Sequence, residues 1–177
     1  AEGDLEGHFK PVRRLEAGAL VALLHQDRLQ DLDIFASRFL LAAAGALTMA
    51  VNLSAEQLAF GQDRLAGKGL AERATLRLQD YRDIDDGPYD AIVSIEMFEA
   101  VGREYWGDFF ATLHRQLKPG GRACLQTITI RDDLFERYVR STDFIQQYIF
   151  PGGLLPSAQA FRAEAERAGL QVVNELP

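Results

Sequence analysis

The sequence predicts a doubly wound, mostly parallel α/β sheet with helices on both faces. Three observations carry that prediction. From Leu47 onward, short β-rich runs alternate with longer helical stretches, the pattern of repeated strand–helix units. One of those runs, Ala91 to Ile95 in YDAIVSI, is apolar except for a single serine, which suits a parallel strand covered on both faces. Directly after it, Glu96 and Glu99 flank Met97 and Phe98, at the carboxyl edge where open α/β sheets bind their ligands. A carboxylate in such apolar company needs a partner. The competing reading makes both glutamates ordinary helix N-terminal residues facing water.

Taken in order, residues 1–30 form a helical segment, with Leu15, Ala19, Leu20, Leu23 and Leu24 on one apolar face of a helix over Leu15–Leu24. Leu47–Leu53 is a β-rich run and Ser54–Gly67 a helix. Ser54 and Gln57 fit a capping box, each satisfying a backbone amide of the first turn. Ala74–Gln79 alternates as a strand, with Asp80 and Tyr81 at its carboxyl end, and DIDDGPYD is a solvated connector. Glu104–Leu117 is a helix that turns Tyr105, Phe109, Leu113 and Leu117 toward the sheet, and KPGG ends it. Ala123–Ile130 is a further strand carrying the polar Gln126 and Thr127, with Cys124 as a small buried residue. Arg131–Phe150 reads as a helical, aromatic and basic insertion: a lid over an acyl chain, or half of an ordinary packed helix pair. Ser157 caps a helix running through Ala168, Gly169 ends it, and LQVVNEL is a sixth strand.

Composition narrows the function. The chain of 177 residues is long enough for one core, and its net charge of −7 argues against a nucleic-acid partner. A single cysteine excludes an intramolecular disulfide and a cysteine zinc cluster and is compatible with the cytosol; no metal is expected. The longest apolar run, Phe39–Val51, is broken by Gly45 and Thr48 and is shorter than the ~20 residues of a spanning helix. The amino terminus has no signal-peptide layout.

IVSIEMFEAVG, followed by REYWGDFFATLHRQLKPGGRACLQTITI and DFIQQYIFPGGLLPS, resembles the cyclopropane fatty acid synthase and mycolic acid cyclopropane synthase family, which uses S-adenosylmethionine. The resemblance implies a Rossmann-like class I methyltransferase domain over 31–177, with a helical lid insertion at about 131–156. It implies two cofactors, S-adenosylmethionine and bicarbonate. Asp33, Asn52, Leu53, Gln57, Asp80 and Tyr81 would hold the first. Glu99, Gln126 and Ile128 would hold the second, although the family more often has histidine where Gln126 and Ala100 stand. Phe144, Tyr148 and Phe150 would line the lid. The family's first strand resembles a run ending at Leu32–Ile34, and its next helix resembles Phe35–Ala46. The glycine-rich loop between them is missing at the junction of Ile34 and Phe35, since no GxG occurs before residue 50. A methyltransferase sheet of this kind normally closes with one more strand, which is expected to follow LQVVNEL.

The implied activity is methyl transfer to the double bond of an unsaturated phospholipid acyl chain, giving a cyclopropane or a methylene or methyl branch. A flavin-dependent reductase partner would complete the methyl branch. The implied setting is cytoplasmic, peripheral to the inner face of the membrane, with homo-oligomer formation. The alternative is a non-catalytic lipid-binding or partner subunit derived from the same family.

Overall fold

A computed structural model describes residues 19–24, 47–52, 55–95, 97–141, 147–148 and 152–175; of 19–24, 47–52 and Gln57 it describes the backbone alone. Five strands form one sheet: β1 (Ala19–Leu24), β2 (Leu47–Asn52), β3 (Ala74–Leu78), β4 (Tyr89–Ile95) and β5 (Leu117–Gln126). Their order is β3-β2-β1-β4-β5 and every pairing is parallel. The chain winds outward from β1 to β3, then crosses to β4 on the other side. That reversal defines a topological switch point between β1 and β4.

Four helices accompany the sheet among the described residues: α1 (Ala55–Gly67), α2 (Trp106–Gln116), α3 (Asp132–Val139) and α4 (Ala158–Arg167). Helix α1 packs on β2 and β3, α2 on β5 and α4, and α3 on α4. So close is α1 to β3 that a Cβ on Gly61 would meet the Leu76 side chain at 2.6 Å. Helices α1 and α4 end alike. Gly69 (φ +66°) and Gly169 (φ +85°) take the left-handed conformation, and the next amides, of Leu70 and Leu170, reach back to the carbonyls of Leu65 (2.9 Å) and Ala165 (3.0 Å).

Several expectations are corrected. Of the helix expected over Leu15–Leu24, the described part is a strand: Ala19–Leu24, ALVALL, is β1, the central strand. A continuous apolar run of six suits a strand paired on both edges, which a helix-face count cannot distinguish. The central strand of the described sheet therefore ends at Leu24, and Ala19–Leu24 belongs to the sheet. Asp33 and the Ile34–Phe35 junction lie outside the described residues.

Strand β5 begins at Leu117, not Ala123, and ends at Gln126. KPGG lies inside it as a bulge, with the register passing from Tyr89↔Leu117 to Ala91↔Arg122 around Gly120 at φ +77°. Cys124 is exposed, because β5 is the edge of the described sheet. Leu170–Glu175 forms no strand and is tied to α4 instead, by the Arg162–Glu175 pair at 2.7 and 2.8 Å.

The core is aromatic. Phe98, Trp106, Phe109, Phe110 and Phe161 interlock, with the ring centroid of Phe98 between 4.9 and 5.5 Å from those of the other four. On α2 the buried positions are Trp106, Phe109, Phe110, Thr112, Leu113 and Gln116; the helix starts at Trp106 rather than Glu104 and leaves the Tyr105 ring exposed. The Gln116 amide, buried with them, donates to the Ile84 carbonyl.

Ser157 caps α4 as expected, accepting the Ala160 amide at 3.2 Å. Beside it Asp132 accepts the Gln159 amide at 3.0 Å, and its hydrogen bond with Ser157 holds its carboxyl below the ordinary value. Replacing Ser157 with alanine is expected to cost ~1 kcal/mol of stability, read as a lower urea midpoint at unchanged slope.

Candidate active site

The registers bring the strand ends to one level. Leu24 pairs with Ile95, Ile95 with Gln126, and Asn52 with Leu78, so the carboxyl ends of the five strands form a single rim. The turn after β4 leaves this rim at the switch point. It is a short 3-10 turn, Phe98–Ala100, closed by the amides of Ala100 on Met97 (3.1 Å) and Val101 on Phe98 (3.0 Å). Phe98 drops into the aromatic core, and this fixes its neighbour Glu99.

Glu99 is 1% exposed, which overturns the reading of a helix-start glutamate facing water. Its Oε1 accepts the backbone amide of Ile128, from the loop that follows β5. Its Oε2 is buried and has no hydrogen-bond partner among the described residues. A buried carboxylate oxygen in that state calls for a donor, whether ligand, water or ion. Gln126, partly buried at the last position of β5, stands across from Ile95. Of the three residues expected to hold bicarbonate, Glu99 and Ile128 are joined directly, and Gln126 ends β5 two residues before Ile128. The Ile128 amide is used by Glu99 itself, while the Ile128 side chain, 51% exposed, faces outward on the rim.

On the opposite arm of the rim, Asp80 and Tyr81 follow β3. Asp80 caps the 3-10 turn Tyr81–Asp83, accepting the Arg82 amide at 2.9 Å. The Arg82 guanidinium grips the same carboxylate with Nε at 2.9 Å and Nη2 at 2.7 Å, a bidentate pair. Tyr81 packs edge-on to Phe109 at 5.6 Å, and burial pushes its phenol up to about 12. Arg82 is a residue that the sequence reading did not single out. The signal was its spacing two residues after a turn-starting aspartate.

The side-chain hydrogen bond from Arg82, with the capped amide and the adjacent charge, holds the Asp80 carboxyl below its ordinary range. A carboxyl depressed in the folded state adds stability fully present above about pH 4, lost as pH falls through its folded value. Arg82→Ala is therefore expected to move the acid unfolding midpoint to higher pH, followed by circular dichroism during acid titration.

Asn52 is the last residue of β2, opposite Leu78, and Gln57 lies in the first turn of α1, so both are placed toward the rim by their backbone positions. Leu53, Ser54, Glu96, Phe144 and Phe150 lie outside the described residues. Tyr148 is 64% exposed. Helix α3 of the expected lid buries Phe135 and Tyr138 in the main core, so this part of the insertion is packed into the body of the domain. Among the described residues, no group of His, Cys, Asp and Glu is arranged to hold a metal, and no helix is long and apolar enough to cross a membrane.

A parallel sheet of order 3-2-1-4-5 with a carboxylate at its switch point is the Rossmann-like fold of class I methyltransferases. The crystal structure of a mycolic acid cyclopropane synthase complexed with SAH and CTAB superposes with a TM-score of 0.68 at 25% identity, covering 90% of this chain and 56% of that one. Residues 37–176 match the family described as mycolic acid cyclopropane synthetase, and the chain belongs to that family. A tuberculostearic acid methyltransferase of Mycobacterium tuberculosis is 42% identical over 134 residues, or 75% of this chain and 31% of the relative. A cyclopropane-fatty-acyl-phospholipid synthase of Escherichia coli K12 is 40% identical over 117 residues, or 66% of this chain and 28% of the relative. The chain thus spans about a third of the length of these relatives.

Proposed function

We propose that the protein is the catalytic domain, or part of it, of an S-adenosylmethionine-dependent C-methyltransferase acting on the double bond of an unsaturated phospholipid acyl chain. The observation that carries this reading is Glu99: a buried carboxylate at the switch point, anchored through one oxygen and open at the other. Family membership and relatives named for fatty acid methylation and cyclopropanation support it.

The rim has two arms suited to the cofactor. Asn52, which ends β2, and the Asp80–Tyr81 turn after β3 would contact its ribose and adenine, with Gln57, Leu53 and Asp33 as further contacts. S-adenosylmethionine, when bound, supplies an electrophilic methyl group on its sulfonium. The chain's own residues then have to exclude water, align the alkene and dispose of one proton.

The proton is the task of the Glu99 pocket. Addition of a methyl group to one alkene carbon leaves its neighbour electron-deficient, and loss of a proton restores neutrality. Glu99 Oε2 is the acceptor position for the base: a bicarbonate ion whose hydroxyl donates to Oε2 and which the Gln126 amide can also bind. Proton loss from the new methyl closes a cyclopropane ring, and loss from an adjacent chain carbon leaves a methylene branch. Gln126, unlike the histidine that the family resemblance expects there, cannot titrate and offers the bicarbonate only a hydrogen bond. A flavin-dependent reductase would then supply the electrons for a methyl branch. Phospholipid access implies peripheral contact with the inner face of the membrane from the cytoplasm, with Tyr148, Phe144 and Phe150 of the lid on the acyl chain; a homo-oligomer is part of the same reading.

The test is methyl transfer from labelled S-adenosylmethionine to vesicles of an unsaturated phosphatidylglycerol, with the lipid product identified by mass spectrometry. Activity is expected to fall at least ~10-fold in carbonate-free buffer and to return on adding bicarbonate. Full-length protein that binds no S-adenosylmethionine would point instead to a non-catalytic relative.

A further inference from the structure

Trp106 is the only tryptophan in the chain, and it sits behind the Glu99 turn. Its indole Nε1–H donates to the Val101 carbonyl at 3.0 Å, a buried bond to the residue that closes the turn. One neighbour of its ring is Phe98, with centroids 5.2 Å apart. Another is Phe135 of α3, stacked at 6.2 Å and 22°. Arg103 lies over the far ring, with Cζ 5.8 Å from the Phe135 centroid. A single side chain therefore touches both the turn that carries the buried carboxylate and the helix that opens the insertion.

We propose that Trp106 is a positioning residue: its indole N–H and ring hold the 98–101 turn so that Glu99 meets the Ile128 amide, and couple that turn to α3 through Phe135. This rests on the reading of Glu99 as the base-holding residue. Core packing alone would require only the bulk of the ring. The bond from the indole to a turn carbonyl instead fixes the orientation of the backbone two residues beyond the carboxylate. A buried carbonyl that loses its donor shifts to find another, and the carboxylate shifts with it.

The test uses Trp106→Phe, which keeps an aromatic ring and removes the donor. Amide hydrogen exchange is read without substrate: the Ile128 amide is expected to exchange about tenfold faster, while that of Ile92 in β4 keeps the parent rate. In turnover, kcat is expected to fall about tenfold with KM for S-adenosylmethionine unchanged. Should that variant not fold, Phe135→Leu carries the test, with faster Ile128 exchange and a red shift of the single tryptophan's emission expected. An Ile128 amide exchanging at the parent rate, or Ile92 accelerated equally, overturns the proposal. Because exchange is measured without turnover, an inactive parent enzyme would sink the functional reading and leave this one to be judged separately.

Discussion

Glu99→Gln is expected to lower methyl transfer to unsaturated phospholipid by ~10²- to 10⁴-fold, the usual worth of a positioned acid–base group. The substitution is nearly isosteric, and its remaining carbonyl oxygen can still accept the Ile128 amide, so the turn keeps its anchor. What changes is the second position. An oxygen that could accept a hydrogen bond becomes an NH₂ group that can only donate, and the negative charge is gone. The expected signature is a loss in kcat with little change in S-adenosylmethionine affinity, since the residues proposed for the adenosine, Asp80 and Tyr81, follow β3 on the other arm of the rim. A variant working at the parent rate would show that Glu99 is a structural carboxylate and that the base lies elsewhere.

Phe109→Ala is expected to remove ~3–5 kcal/mol of stability, the cost of deleting a fully buried aromatic ring and leaving a cavity. Phe109 is 0% exposed, and its ring meets Tyr81 at 5.6 Å, Phe98 at 5.0 Å and Phe110 at 5.3 Å. A loss of that size rivals the whole stability of a small domain, ~5–15 kcal/mol. The variant is therefore expected to be largely unfolded or insoluble at growth temperature, read by circular dichroism and the urea midpoint. The same ring backs both arms of the rim, through Tyr81 on one side and Phe98 on the other. Any folded residue of the population should therefore also bind S-adenosylmethionine poorly. A midpoint within error of the parent would mean that the aromatic cluster repacks around the gap.

Elements whose reasons are local were legible in the sequence. Strand β4 announced itself by an apolar run too uniform for a surface strand, and α4 by a serine cap and a left-handed glycine stop. Glu99 stood out because a charge among Met97, Phe98 and Val101 demands an explanation. What was not legible depends on contacts between distant residues. ALVALL satisfies a helix face and a buried strand equally, and only the β2 and β4 edges on either side of it decide the matter. KPGG has every mark of a helix stop, yet the chain is already extended at Leu117 because Tyr89 pairs with it. The bond between Glu99 and Ile128 joins residues 29 apart, so no periodicity could show it; the family resemblance placed them together. The central strand β1 lies before residue 37, where the match to the family begins, so the resemblance offered no motif to mark it.

The irregularity in β5 sets limits on how the chain can vary. Between the Tyr89↔Leu117 and Ile95↔Gln126 pairs, β5 advances nine residues while β4 advances six. The surplus is slack, all of it taken up ahead of Arg122, so shortening or lengthening the proline–glycine stretch alters a spacer on the far side from the chemistry. From Arg122 to Gln126 there is no slack, and one deleted residue there would turn the glutamine to the opposite face and draw the Ile128 amide away from its carboxylate. Length variation among natural or engineered versions of this domain should therefore gather in the first half of the strand and stop abruptly at its second.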